Sequence, residues 1–349
     1  MTDVNFYLDK LNSQSYAFGL PLVTGRVKAR PADFRVIEVM DVEPSGEGEH
    51  FWLDISKIGL SSERVAKSLA RHSGVAYRDV GYSGMKDVNA DTRQWFSVWM
   101  PKQLGFDWSE FEMNEVTVHS IHKHNRKLKR GTHKANEFRL KVVDLTGDIE
   151  SLEERLSIIA GCGVPNYFGE QRFGYGANNL TKAQGLFDQG RKIKDRQLRS
   201  VVLSSARSFL FNEVLSLRVK NGTWNAFYDG EPASLNGTNS VFQTDGELDN
   251  EQRLKSLDIH PTAPMWGRGH EKQTEHYSEL AEMESEVMKE YEVFTQGLEK
   301  HGLDYQRRAT RSVPNALQYR IEGDALELCF SLQKGQFATS VLRELVRQG

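Results

Sequence analysis

The strongest constraint on this fold is where apolar residues alternate and where they stop. At Phe34 and Val36, then through 51–55, 95–100, 116–122 and 138–143, apolar and polar residues take turns. That period of two puts one face of a strand on a core and the other in water. The pattern lapses after Gly163 and returns at 317–321 and 326–332, followed by a helix around 337–347. In between, 196–221 and 275–300 carry helical spacing. Leu280, Met283, Val287 and Tyr291 keep an apolar stripe through a run with eight Glu between 271 and 292, so those acids read as a solvated helix face. Residues 223–270, rich in Gly, Asn and Pro, read as irregular with short strands. Two helices are expected among the early strands. Residues 61–74 have serines to cap the start, Val65 and Leu69 one turn apart, and Gly74 to stop; 148–161 have Ile149, Leu152, Leu156 and Ile159 on one stripe. A length of 349 residues suits about two domains. The interrupted alternation arranges them: an α+β domain built from both chain ends, 1–161 plus 306–349, with a more helical domain, 162–305, inserted.

Composition narrows the class further. With 38% hydrophobic and 27% charged residues the chain is that of a globular protein. No apolar run approaches the ~20 residues needed to span a bilayer, and Met1-Thr2-Asp3-Val4-Asn5 lacks the layout of a secretory signal. A cytoplasmic protein with no membrane contact is expected. Cys162 and Cys329 are the only cysteines; without close spacing or a His partner they make neither a disulfide framework nor a zinc site, and read as small core residues. The net charge of −3 means that an anionic partner must be drawn by a local patch.

Such a patch is present. H-K-H-N-R-K-L-K-R-G-T-H-K (122–134) holds six Lys/Arg, three His and no acid, between two expected strands. A charge run is often only a solvated surface, but like charge in one loop repels itself unless an anion relieves it. Against nucleic acid, such a loop would give an affinity that falls steeply with salt. Phe138, just beyond it, suits an unpaired base as well as it suits a strand core. The second candidate is Y-S-G-M-K-D (82–87). An Asp after a glycine turn is ordinarily a turn or cap residue. Here Lys86 is adjacent, and Lys28 and Arg30 precede another strand. A carboxylate kept ionised by a cation can serve as nucleophile or base. No Walker-type loop or G-x-S-x-G elbow competes with it, and His119, His122 and His124 lack metal-ligand company. Pairing Asp87 with Glu38 or Glu49 as a glycosidase would need two carboxylates about 5–10 Å apart and would leave the basic loop idle.

Several stretches, taken in order, resemble one family. They are K-A-R-P-A-D-F-R-V-I-E (28–38), G-E-G-E-H (46–50), S-G-M-K-D (83–87) with Ala90, Thr92, Gln94 and Trp95, H-N-R-K-L-K-R-G (124–131), N-E-F (136–138), V-P-N-Y-F-G-E-Q-R-F-G (164–174), S-A-R-S-F-L-F-N (205–212) and F-A-T-S-V-L-R-E (337–344). Together, over most of the chain, they are similar to the TruD family of tRNA pseudouridine synthases, which act on uridine 13. Val88 stands where the family often has Lys, and Ala135 where it often has Gly. The resemblance implies an α+β fold: a catalytic domain with the mixed or antiparallel pseudouridine-synthase sheet in permuted strand order, and an inserted α+β TRUD domain. It implies an isomerase that breaks the C1′–N1 bond of a flipped-out uridine, turns the uracil and rejoins it through C5, using no cofactor, no metal and no obligate protein partner beside tRNA. It implies Asp87 as the catalytic carboxylate, acting either as nucleophile or as base at C2′, with the C5 proton acceptor open. Lys28, Lys86, Asn136 and Phe138 would meet the substrate, Lys28 being the first choice to hold Asp87 and Phe138 offering its ring to the base. Lys123, Arg126, Lys127, Lys129 and Arg130 would bind RNA, and Arg172 and Arg207 would help bind RNA or brace the domain junction.

Overall fold

The structure is a computed structural model that describes residues 4–103, 105–238, 240–244, 248–270 and 278–348. The chain divides into two compact units. One comprises Leu22–Glu150, Pro314–Gly335 and Val346–Gly349; the other comprises Met1–Pro21, Ser151–Val313 and Gln336–Leu345.

The first unit is built on a mixed sheet of ten strands: β1 Val23–Val27, β2 Phe34–Val39, β3 His50–Ile58, β4 Val80–Tyr82, β5 Asp91–Trp99, β6 Val116–His124, β7 Ala135–Gly147, β8 Asn315–Glu322, β9 Ala325–Gln333 and β10 Arg347–Gln348. The order across it is β8-β9-β7-β2-β5-β3-β6, with β1 on β7 and β10, and β4 on β5. All pairs are antiparallel except β1–β10 and β2–β5. A parallel pair needs a long crossover. Between β2 and β5 it is supplied by β3, the Ser62–Ser73 helix and β4. That helix starts where Ser61 Oγ accepts from Arg64 N at 3.1 Å and ends at Gly74, whose φ of 70° suits glycine. Its Val65, Ala66 and Leu69 are wholly buried with Leu53, Ile55, Phe96 and Val98, each large side chain contributing roughly 1.5–3 kcal/mol. The sequence pattern missed β1 and β4: one carries Gly25 at its centre and the other is three residues long.

The second unit is mainly helical, around the 25-residue helix Arg196–Lys220. Asp195 caps it by accepting from Gln197 N and Leu198 N, and Phe209, Leu210, Phe211, Val214 and Leu215 are wholly buried. The division differs from the expected 1–161 plus 306–349 and 162–305 in its bounds, for reasons of packing. Tyr7, in the Val4–Asn12 helix, lies edge-on to Phe209 and Phe294 at 5.5 and 5.6 Å. Arg155, in the Ile149–Cys162 helix, donates to the carbonyls of Phe18, Gly19, Leu20 and Glu344. Ser340, in the Ala338–Leu345 helix, donates to Tyr167 O at 2.8 Å. Both chain-end segments therefore belong to this unit.

The single helix expected at 275–300 is two, Ser278–Glu290 and Glu292–Lys300; residues 271–277 lie outside the described residues. The break falls at Tyr291, whose ring packs edge-on to Phe209 at 5.0 Å while its hydroxyl donates to Glu213 Oε2 at 2.5 Å. Nor are all the acids solvated: Glu284 is buried and paired with Arg307 at 2.6 Å. A helix, Leu248–Lys255, occupies part of the stretch expected to be irregular. Cys162 and Cys329 are half-buried and unpaired. Among the described residues no helix is long and apolar enough to cross a membrane.

Candidate active site

Sheet register assembles the site. Side chains two apart on a strand share a face, and Glu38 of β2 and Leu332 of β9 both pair with Asn136 of β7. Further along the same strands, Val36 and Phe330 flank Phe138 in the same way. The polar row is bridged from outside the sheet. Lys86 Nζ lies 2.8 Å from Glu38 Oε1 and donates to Asn136 Oδ1 at 2.6 Å, while Trp95 N donates to Glu38 Oε2 at 3.1 Å. Glu38 is fully enclosed, so it offers no second carboxylate for glycosidase chemistry. His133 Nδ1 is 3.9 Å from Glu38 Oε1. Burial holds its pKa below the usual value and the charges of Lys86 and Lys334 add to this, against the pull of Glu38.

Two elements fix the 83–87 segment. From the helix, Ser62 Oγ accepts from Lys86 N at 3.2 Å and donates to Gln94 Oε1 at 2.6 Å, and Gln94 Nε2 donates to Gly84 O at 3.2 Å. From the basic loop, Gly131 N donates to Ser83 O at 2.6 Å. That loop is itself tied down: Leu128 N donates to Ser97 Oγ at 2.9 Å, Trp52 Nε1 to Arg126 O at 2.8 Å, and Lys127 Nζ to Arg78 O. Gly81 is needed for this approach, since a Cβ there would sit 2.4 Å from Leu128 O. The two motifs, some forty residues apart in the chain, thus form one surface.

Asp87 is 16% exposed, and its Oδ2 accepts from Lys28 Nζ at 2.5 Å and its Oδ1 from Asn89 N at 3.0 Å. Burial by itself would raise this carboxyl's pKa. The hydrogen bonds from Lys28 and Asn89 and the charges of Lys28 and Lys57 outweigh burial, and the result lies below the ordinary value. Lys28 reaches Asp87 from a left-handed backbone with φ 57°, its ammonium 4.2 Å from the ring centre of Phe34. A non-glycine residue there costs roughly 1–2 kcal/mol, strain of the kind that gathers at functional sites. Lys57 is wholly buried and donates to Leu60 O at 2.6 Å. Burial pushes its pKa down to about 8, the charge of Asp87 opposing this and that of Lys86 adding to it.

The other expected residues fall as follows. Lys86 turns toward Glu38 and Asn136, leaving Asp87 to Lys28. Phe138 is 6% exposed, stacked on Phe330 at 5.5 Å and edge-on to Phe34 at 6.3 Å, so it packs the floor and has little surface to offer a base. In the loop Arg126, Lys129 and Arg130 are exposed and Lys127 half-buried, as is Lys123 near the end of β6. Arg172 and Arg207 belong to the helical unit. Arg207 spends its Nη2 on the carbonyls of Met265 and Asp304, at 2.9 and 2.8 Å, which braces that unit. Sequence reasoning missed Lys57 and Ser62, and gave no role of their own to Gln94 and His133, which stand in the quoted stretches. For Lys57 a signal existed: it takes the core-facing parity of Phe51, Leu53 and Ile55. A charge in that place needs a reason.

Comparison with known proteins gives this surface a lineage. The family model of tRNA pseudouridine synthase D (TruD) matches residues 10–183 and 176–345. The chain belongs to this family. Among curated TruD proteins it is 43% identical to tRNA pseudouridine synthase D of Methylococcus capsulatus over 95% of this chain and 93% of that one. It is 41% identical to that of Aeromonas hydrophila over 97% and 95%. A solved structure from Methanosarcina mazei, of a candidate TruD protein, superposes with a TM-score of 0.72 at 19% identity, covering 97% of each chain. At that identity it speaks for the fold, which is α+β with a mixed sheet, as expected for a TruD protein.

Proposed function

We propose that this protein is a cytoplasmic isomerase that converts uridine 13 of tRNA to pseudouridine, with Asp87 as the catalytic carboxylate and no cofactor. The observation that carries the reading is the Lys28–Asp87 contact: a partly open carboxylate, gripped at 2.5 Å by a cation, in a segment bonded to the loop of the basic stretch 122–134, which holds six Lys/Arg. The names of the relatives supply the substrate class. In this reading the sheet unit is the catalytic domain and the helical unit the TRUD domain.

The chemistry follows from charge. Whether the carboxylate attacks the nucleotide or takes the C2′ proton, it must be ionised, and Lys28 and Lys57 hold it so. The uridine leaves its stack first, at a cost of a few kcal/mol. The exposed loop cations Arg126, Lys129 and Arg130, with Lys123 and Lys127, draw in the phosphates on either side. Lys86 keeps Asn136 and Glu38 in register beneath, so that Asn136 presents its amide to the base. Phe138 supports Phe34 from below and so fixes the ring over which Lys28 lies.

The test is to map pseudouridine in tRNA incubated with the pure protein and with Asp87→Asn. The wild type should modify position 13, and the variant should bind tRNA yet form none. Modification at another uridine would remove the position from the proposal; turnover by Asp87→Asn would remove the residue; binding with no isomerisation by the wild type would leave an RNA-binding protein.

A further inference from the structure

The helical unit is rich in enclosed arginines, and Arg218 and Arg307 are paired with buried acids, Glu231 and Glu284, each at 2.6 Å. Arg155 donates to four carbonyls, Arg311 to two carbonyls and His260, and Arg207 to two carbonyls, though its Nε, too, is enclosed without a partner among the described residues.

Arg172 and Arg308 differ. Arg308 Nη2 donates to Asn166 Oδ1 at 2.7 Å, with Asn166 O at 3.4 Å, but its Nε is enclosed with no partner. Arg172 Nη1 donates to Ser204 Oγ at 3.0 Å. Among the described residues neither guanidinium has a carboxylate within ion-pair distance. Both lie against one ring, their guanidinium carbons 5.1 and 4.1 Å from the centre of Phe168. Burial pushes the Arg308 pKa down to about 9, the charge of Arg172 adding to this; burial lowers Arg172 as well. The neighbour in sequence sharpens the contrast. Arg307 and Arg308 point to opposite faces of one strand, and only Arg307 meets an acid.

Two half-enclosed like charges on one ring are costly unless an anion joins them. A guanidinium has five donors in a planar fork suited to phosphate, and here most of those donors are unspent. We propose that Arg172 and Arg308, set against Phe168, form a phosphate-binding site within the helical unit that takes a phosphodiester of the RNA substrate. The inference rests on the reading above that this substrate is tRNA. Ser204 and Asn166 hold the two forks in place, and Arg207 takes no part.

The test uses the full chain with Arg308→Met, which keeps an apolar stem over Phe168, and with Arg172→Gln as an independent variant. Each variant should flatten the dependence of log binding constant on log salt by about 0.7–0.9 for every phosphate it no longer neutralises. Each should raise KM for tRNA about fivefold or more while kcat moves less than about twofold. Inorganic phosphate should raise the melting temperature of the wild type more than that of Arg308→Met. Unchanged salt slope and KM in variants that still melt cooperatively would overturn the site. Protection by inorganic phosphate with an unchanged tRNA slope would mean that the site takes the free ion only, and would overturn the RNA assignment. If the wild type binds tRNA without isomerising it, the catalytic reading fails while the salt slopes still decide this site.

Discussion

Two cation–carboxylate pairs in this protein look alike in outline and differ in how completely they are closed. Arg218 and Glu231 are both wholly buried. The guanidinium meets both carboxylate oxygens, at 2.6 and 3.0 Å, and its remaining donors go to the carbonyls of Thr223, Ala226 and Thr262. Glu231 also accepts from Tyr228 N and Thr262 N. Lys28 and Asp87 are 27% and 16% exposed, and among the described residues Asp87 accepts from Lys28 and Asn89 alone. A carboxylate has about four lone-pair sites. The first pair has used its capacity and is sealed, so it can only hold structure. The second keeps acceptor capacity facing outward, which is what a reacting group requires.

The largest effect that separates the pairs is on stability. Glu231→Gln strands the charge of Arg218 in the interior, at about 3–5 kcal/mol. The denaturation midpoint should fall accordingly, while the rate per folded molecule changes little. Asp87→Asn should do the reverse, losing turnover with a near-normal midpoint. A Glu231→Gln protein that unfolds with the wild type would erase the distinction.

This contrast also explains what the sequence could reveal. Alternation at Phe34 and Val36 and at Leu326, Leu328 and Phe330 made the sheet legible from both chain ends, because period two survives any strand order. The loop stood out because charge of one sign gathered in a short window, and Asp87 because it follows a glycine turn with Lys86 beside it. What stayed hidden depends on the meeting of residues far apart in the chain. The capping serine Ser61 is a local signal, but the bond of Ser62 to Lys86 N exists only once helix and loop have met. Glu284 sits among other glutamates and is told apart only by Arg307. Phe138 fits a strand core and a stacking platform equally until Phe330 is seen against it.

A second experiment tests how far Lys28 governs the open pair. The pKa of Asp87 is lowered from 3.8. The ionised form, and both the rate and the stability that depend on it, are therefore fully present above the unfolded value and lost as pH falls through the folded one. In Lys28→Met, burial, which is the largest influence and acts upward, is opposed only by Asn89 and Lys57. The acid limb of single-turnover pseudouridine formation should move to higher pH, and Lys28→Arg should restore part of the shift. A limb that stays in place would show that Lys57 and Asn89 hold the carboxylate without Lys28.

The smallest effect concerns the basic loop, whose Lys127, Lys129 and Arg130 have no carboxylate partner among the described residues. Among them Lys127 is partly engaged, since its ammonium donates to Arg78 O, whereas Lys129 and Arg130 are exposed. Replacing all three by Gln should flatten the salt dependence of tRNA binding, the slope falling by about 0.7–0.9 for every phosphate left without its cation. Taken singly, Lys127→Gln should change the slope least, because that ammonium must give up a carbonyl before it can meet a phosphate. If Lys127→Gln flattens the slope as much as Arg130→Gln, the bond to the carbonyl does not restrain the side chain. If the triple variant keeps the wild-type slope, the loop is a solvated surface, and the open carboxylate needs another source of attraction for RNA.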